Sequence, residues 1–113
     1  MSYTLPIEKD PASHVFKALA DPNRRRLLDM LLHGEQSVND LHAQLSISQP
    51  AVSQHLQILR EAGLVSHHKE GRQNIYRVNA DPLMSVAHWL SKYDAFWDQK
   101  LDAFTDLLNR KKN

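Results

Sequence analysis

One stretch restricts the fold more than any other: SISQPAVSQHLQILREAGLVSHHKEGRQNIYRV, Ser46–Val78. Up to Ala62 its apolar residues recur at three- and four-residue steps, the period of an amphipathic helix, and beyond Gly63 the pattern shortens to that of strands. Ser48 supplies an N-cap, Pro50 is tolerated in the first turn, and Gly63 stops the helix. Leu64–Lys69 and Arg72–Val78 read as two strands joined by a tight turn at Glu70-Gly71. Val65, Ile75 and Val78 are expected to pack inward, leaving Lys69, Arg72 and Arg77 outside.

The rest of the chain is punctuated by three Asp-Pro pairs, at Asp10-Pro11, Asp21-Pro22 and Asp81-Pro82. Each reads as a capping carboxylate followed by a proline at the first helical position, where no N–H is needed. They predict helices over about 11–20, 22–33 and 82–109, with Gly34 at the C′ position of the second. Ser37-Val38-Asn39-Asp40 resembles a capping box with Asp in place of Glu, and opens a third helix running to about Leu45. The expected fold is mainly α with a small β-hairpin, in the order α-α-α-α-β-β-α: a winged helix-turn-helix. All 113 residues are expected to form one domain, with the helix-turn-helix and wing in 10–81 and a terminal helix in 82–109. The closing Arg110-Lys111-Lys112-Asn113 is expected to fray.

On a helical wheel Gln49, Ser53, Gln57 and Arg60 lie together, flanked by Pro50, Gln54 and Glu61, while Ala51, Val52, Leu56, Ile58, Leu59 and Ala62 fill the opposite arc. The polar arc holds no acid before Glu61, which suits a helix that enters the negative potential of a DNA major groove N-terminus first. Glutamine can bond adenine through N6 and N7, and serine can bond base edges or phosphate. An ordinary solvated face has the same wheel; the preceding helix and turn and the following hairpin favour recognition. Arg72, beside the turn glycine, is placed to grip a phosphate or enter a minor groove, although a charged hairpin also discourages edge-to-edge pairing. His55 falls in the apolar arc and reads as a packed histidine, hydrogen-bonded within the domain. The candidate DNA-binding residues are therefore Ser48, Gln49, Ser53, Gln54, Gln57, Arg60, Lys69 and Arg72; Lys69 and the adjacent His67-His68 pair are the weaker candidates, since neighbouring strand residues point to opposite faces.

Formal charge is only +1, but its distribution is uneven. Segment 48–79 carries four basic residues against two acidic ones, whereas the flanks are balanced or slightly acidic. The absence of cysteine removes disulfides, thiolate metal sites and thiol redox sensing. No apolar run is long enough to span a bilayer and no signal-peptide core opens the chain, so a cytoplasmic address and no membrane partner are expected. There is no phosphate-cradling glycine loop, no HExxH and no G-x-S-x-G, so catalysis is not expected and no cofactor is called for.

Leu83, Val86, Leu90, Tyr93, Trp97, Leu101, Phe104 and Leu108 form a helical stripe about 40 Å long at 1.5 Å per residue. A domain this small cannot cover it alone. The economical account is a dimer seam through Leu90, Tyr93, Trp97, Leu101 and Phe104, joined by Val15, Phe16 and Leu19 of the first helix; an aromatic effector pocket is the sharper alternative. Asp94, Asp98, Asp102 and Asp106 form a four-residue ladder, read as a solvated face rather than a hard-cation site.

Three segments, HVFKALADPNRRRLLDMLL, SISQPAVSQHLQILREAGLV and EGRQNIYRV, resemble the ArsR/SmtB family of bacterial transcriptional repressors over about residues 12–108. The resemblance implies a homodimeric winged helix whose first and last helices form the interface. It also implies a repressor that leaves its double-stranded operator, an inverted repeat, when an inducer binds. By position, Gln49, Ser53 and Gln54 match base-contacting places of the family, Arg72 its wing-tip arginine, and His55 a His-Leu pair that packs. The family's metal triggers are not matched. Ser37–Leu41 contains no Cys-x-Cys pair, and the final helix offers His88 alone. The chain is similar to cysteine-free members with a Tyr-x-x-Phe-Trp final helix, so no metal site is assigned and the effector is unknown. A winged helix used only for protein contact is the competing reading, but it calls for an apolar reading face, which Gln49, Ser53, Gln54 and Gln57 do not provide.

Overall fold

The computed structural model describes residues 10–112. Four helices come first or flank a short strand: α1 (Pro11–Leu19), α2 (Pro22–Leu31), β1 (Gln36–Ser37), α3 (Val38–Ala43) and α4 (Gln49–Glu61). The wing strands β2 (Val65–Glu70) and β3 (Gln73–Val78) follow, then α5 (Leu83–Leu90), a single 3₁₀ turn at Ser91–Tyr93, and α6 (Asp94–Lys112). The fold is the expected winged helix-turn-helix, with two additions: a third strand, and a break in the terminal helix.

Side-chain caps open the first four helices. Asp10 accepts from the Ala12 amide at 3.2 Å, and Asp21 from those of Asn23 and Arg24 at 2.8 and 3.3 Å. Ser37 accepts from Asp40 at 3.1 Å and Ser48 from Ala51 at 3.2 Å. Each bond satisfies one of the amides that a helix start leaves without a partner. The third Asp-Pro pair behaves differently. Pro82 is the N-cap of α5 and no side chain caps that helix. Instead Asn79 forms an Asx turn, accepting from the Asp81 amide at 3.3 Å and donating to the Gly63 carbonyl at 3.0 Å. Gly34 lies one position later than expected, because Leu32 is the C-cap of α2 and His33 takes the C′ place.

The end of α4 is set by a Schellman arrangement. The Gly63 amide donates to Arg60 O and the Leu64 amide to Leu59 O, both at 2.9 Å, with Gly63 at φ +76°. The following Leu64 is fully buried, which drives the chain straight from helix to sheet.

The sheet order is β1-β3-β2, all antiparallel. Glu70 pairs with Gln73, so the wing turn is Gly71-Arg72, one residue later than Glu70-Gly71. Gly71 has φ +63° and Arg72 does not have positive φ, the pattern of a type II′ turn whose twist matches the strands. Val65 pairs with Val78 on the core side. Ile75 cannot share that face with Val78 at a period of two; Tyr76 does, and is only 7% exposed, while Ile75 is half-buried.

The core gathers Leu27, Leu28 and Leu31 of α2, Leu41 of α3, Val52, Leu56 and Leu59 of α4, and Leu64, Val65 and Tyr76 of the wing. Val15 and Ala18 of α1 belong to it as well. Val15 is 1% exposed, so it is a core residue and not an interface residue; Leu19 packs against the same core, half-buried. Phe16 points the other way, 41% exposed, with its ring edge-on to Trp89 at 5.7 Å. From Ala87 to Arg110 every residue is exposed, including Leu90, Tyr93, Trp97, Leu101 and Phe104. The helix α6 continues to Lys112, through the run expected to fray; Asn113 lies outside the described residues.

Candidate nucleic-acid interface

The helix-turn-helix is α3, the turn at 44–48, and α4. The apolar arc of α4 is buried through Val52, Leu56 and Leu59, so the opposite arc must face outward. Ser48, Gln49, Ser53, Gln54, Gln57 and Arg60 are all exposed. The Ser48 hydroxyl oxygen already accepts a capping bond, and its proton remains available to donate. The Gln49 amide donates to Asn39 Oδ1 at 3.4 Å, and Arg60 donates to Gln57 Oε1 at 3.2 Å. These are exposed polar contacts that a competing base edge or phosphate can replace at small cost.

The fold brings part of the predicted set into one notch. Between the starts of α3 and α4 and the wing lies a polar cleft of about 300 Å³, lined by Gln49, Ser53, Arg72, Asn39, Gln73 and Asn74 among others. Gln49 and Ser53 of the helix thus share a wall with the wing-tip arginine. Gln57 and Arg60 lie further along α4, and Arg60 is close enough to His67 at the wing base to repel its charge. Lys69 and Arg72 are exposed and form no ion pair among the described residues.

Sequence reasoning missed Asn39, Gln73 and Asn74. Asn74 has a detectable signal: it is two residues from Tyr76 and four from Val78, on the inward phase of β3. Its Oδ1 is buried without a hydrogen-bond partner.

Two histidines, His67 and His55, are packed within the domain. His67 stacks on Tyr76 with ring centroids 5.0 Å apart, and burial, then the charges of Arg60 and His68, push its pKa below the usual histidine value. His55 is packed as expected: its Nδ1 is 3.2 Å from the Arg24 guanidinium and its Nε2 is 3.9 Å from Asp21 Oδ1. Among the described residues, no group of three or more metal-ligating side chains is placed to hold a metal ion, and no helix is long and apolar enough to cross a membrane.

Comparison with known proteins agrees with this geometry. Residues 21–67 match the model of the bacterial regulatory protein, arsR family. The transcriptional repressor SdpR of Bacillus subtilis is 36% identical over 81 residues, spanning 72% of this chain and 90% of that protein. The HTH-type transcriptional regulator Rv2034 of Mycobacterium tuberculosis is 34% identical over 94 residues, 83% of this chain and 85% of that one. Among solved structures, an ArsR-like transcriptional regulator from Rhodococcus sp. RHA1 superposes with a TM-score of 0.66 at 34% identity, covering 86% of this chain and 92% of that one. The exposed polar helix, its wing and these relatives lead to one conclusion: the chain belongs to the ArsR family of bacterial regulatory proteins and is a DNA-binding transcription regulator, not an enzyme.

Proposed function

We propose that the protein is a cytoplasmic, homodimeric repressor that binds an inverted-repeat operator and is released by a cellular signal. The observation that carries the DNA geometry is the exposed face of α4. From Ser48 to Arg60 it presents hydroxyls, amides and one guanidinium without a carboxylate, and its N-terminal end opens onto the same cleft as Arg72. In this reading Gln49, Ser53, Gln54 and Gln57 meet base edges, while Ser48, Arg60, Lys69 and Arg72 meet phosphates or a minor groove.

Dimerisation rests on the terminal helices. A side chain such as Trp97 or Phe104 left in water forgoes hydrophobic stabilisation that a second copy supplies. Phe16, Leu90, Tyr93, Trp97, Leu101 and Phe104 form the proposed seam. The domain then divides at about residue 82, with 10–81 reading DNA and 82–109 pairing subunits. Two α4 helices held by such a seam fit half-sites about 34–36 Å apart.

The test is selection of duplexes from a random pool at low salt, with sedimentation of the protein alone. A palindrome with half-sites one helical turn apart, bound by a dimer, is the expected result. A monomer at micromolar concentration, or a pool that returns no motif, refutes it.

A further inference from the structure

Outside the reading face, one cluster of polar groups ties three helices together. Arg24, the third residue of α2, sends its guanidinium back over the end of α1. Nε donates to the Ala18 carbonyl at 2.7 Å and one terminal nitrogen to the Lys17 carbonyl at 2.9 Å. Both carbonyls belong to the last turn of α1, where a helix leaves carbonyls short of amide partners and where positive charge is favoured; the Lys17 carbonyl also accepts from the Ala20 amide at 3.3 Å. The other terminal nitrogen reaches His55 Nδ1 on α4 at 3.2 Å. Behind the ring, Asp21 caps α2 and faces His55 Nε2 at 3.9 Å.

The chemistry fixes the protonation pattern. A guanidinium has donors and no acceptor, so the bonded Nδ1 must carry a lone pair. The ring proton then sits on Nε2, toward the Asp21 carboxylate. Three donors in one rigid plane serve two helices, an arrangement that the single ammonium of lysine cannot reproduce.

We infer that Arg24 is a positioning residue for DNA binding: through His55 it locks the reading helix to α1, and so sets where that helix sits without touching DNA. The apolar side of α4 alone does not lock it, because Val52, Leu56 and Leu59 make non-directional contacts that tolerate small slides and rotations. The Arg24–His55 bond is directional. It lies between α4 and the helix whose Phe16 meets Trp89 of α5, and hence between the reading face and the proposed seam. This inference rests on the operator-binding dimer proposed above, in which the angle between those elements sets half-site spacing.

Two measurements test it together. The first is the ¹⁵N spectrum of the His55 ring in the free protein, where the Nε2–H tautomer is expected. The second is binding, at fixed salt, to the duplex that the parent protein selects from a random pool. Arg24→Lys and His55→Leu should each weaken binding about tenfold, the order of one charge-assisted hydrogen bond, and relax the spacing preference. The double variant should be no worse than either single one. His55→Asn, whose Oδ1 can stand where Nδ1 stood, should stay within about threefold of the parent. An Nδ1–H tautomer, additive losses, or an Asn variant as weak as the Leu variant overturns the inference, while a parent that selects its palindrome normally leaves the operator reading intact. A parent that selects no duplex overturns both.

Discussion

Trp97→Ala separates pairing from folding. Trp97 is 40% exposed, and among the described residues α6 contributes no buried side chain to the core. A tryptophan side chain brings up to about 250 Å² to a contact, so about 100 Å² of Trp97 remains to be covered. At about 25 cal/mol per Å² that is about 2.5 kcal/mol per chain, and a twofold seam loses it twice, about 5 kcal/mol. Interfaces return only part of such area, because ordering and imperfect packing offset it. Half is a reasonable yield, which at 1.4 kcal/mol per decade raises the dimer Kd by about two orders of magnitude. Sedimentation equilibrium over a concentration series measures this directly. The monomer's own melting temperature, taken at concentrations below dissociation, should not move. If the variant dimerises as tightly as the parent, the seam does not run through Trp97. If the isolated monomer melts lower, the indole is packing within its own chain and the area argument fails.

Arg72→Ala should weaken binding to every duplex and reduce the slope of log K against log salt by about 1, whereas Gln49→Ala should leave the slope alone and relax preference at one or two base pairs; titrations at several salt concentrations separate the two. Although burial raises the Asp21 pKa, bonds from the Asn23 and Arg24 amides and the nearby charge of Arg24 outweigh it and hold the carboxyl below its usual value. Its stabilisation is therefore complete above about pH 4 and disappears as pH falls through the lowered folded value; Asp21→Asn, which keeps a capping oxygen, should flatten that acid limb in urea melts between pH 2 and 6. Gly63→Ala should cost about 1–2 kcal/mol in thermal unfolding, because φ is +76° there and the new methyl meets Pro82 Cγ at 3.4 Å; an unchanged melt would mean that the helix stop tolerates a side chain.

What the sequence discloses depends on how far apart the interacting residues are. The reading face was legible because it needs only the period of one helix: once Val52, Leu56 and Leu59 are taken as buried, Gln49, Ser53 and Gln57 can only face out. The caps at Asp10, Asp21, Ser37 and Ser48 were legible for the same reason, since each bonds an amide two or three residues away. β1 was not. Its two residues exist as a strand only because Gln36 and Ser37 pair with Tyr76 and Ile75, some forty positions later, and Ser37 already had a reading as a cap. The 3₁₀ turn at Ser91–Tyr93 was equally hidden, since a stripe with three- and four-residue steps continues across one tightened turn without losing phase. At Asp81 a local rule failed outright: the Leu83 and Met84 amides that its carboxylate was expected to serve donate instead to the backbone carbonyls of Ala80 and Asp81, and the Asp81 amide itself is taken into an Asx turn by Asn79.

Arg24 shows the same division within a single residue. In Asn23-Arg24-Arg25-Arg26 it reads as one cation in a run, and exposed Arg26 supports that reading, whereas Arg25, also exposed, donates to the Leu19 carbonyl at 2.6 Å. Its own role appears only when the turn between α1 and α2 folds the guanidinium onto Lys17 and Ala18 and the core brings His55 alongside from thirty-one residues away. Two of those three bonds go to backbone carbonyls, which every residue type offers equally, so the side-chain identities at 17 and 18 carry no trace of them. His55 is the one partner whose identity matters, and its place in the apolar arc of α4 marked it as packed without naming what it packs against. The prediction that follows is specific: swapping Arg24 for lysine keeps the run's charge and should still damage DNA binding, while the same swap at exposed Arg26 should change little. Equal effects at the two positions would mean that charge alone, and not the fork of donors, is what this turn supplies.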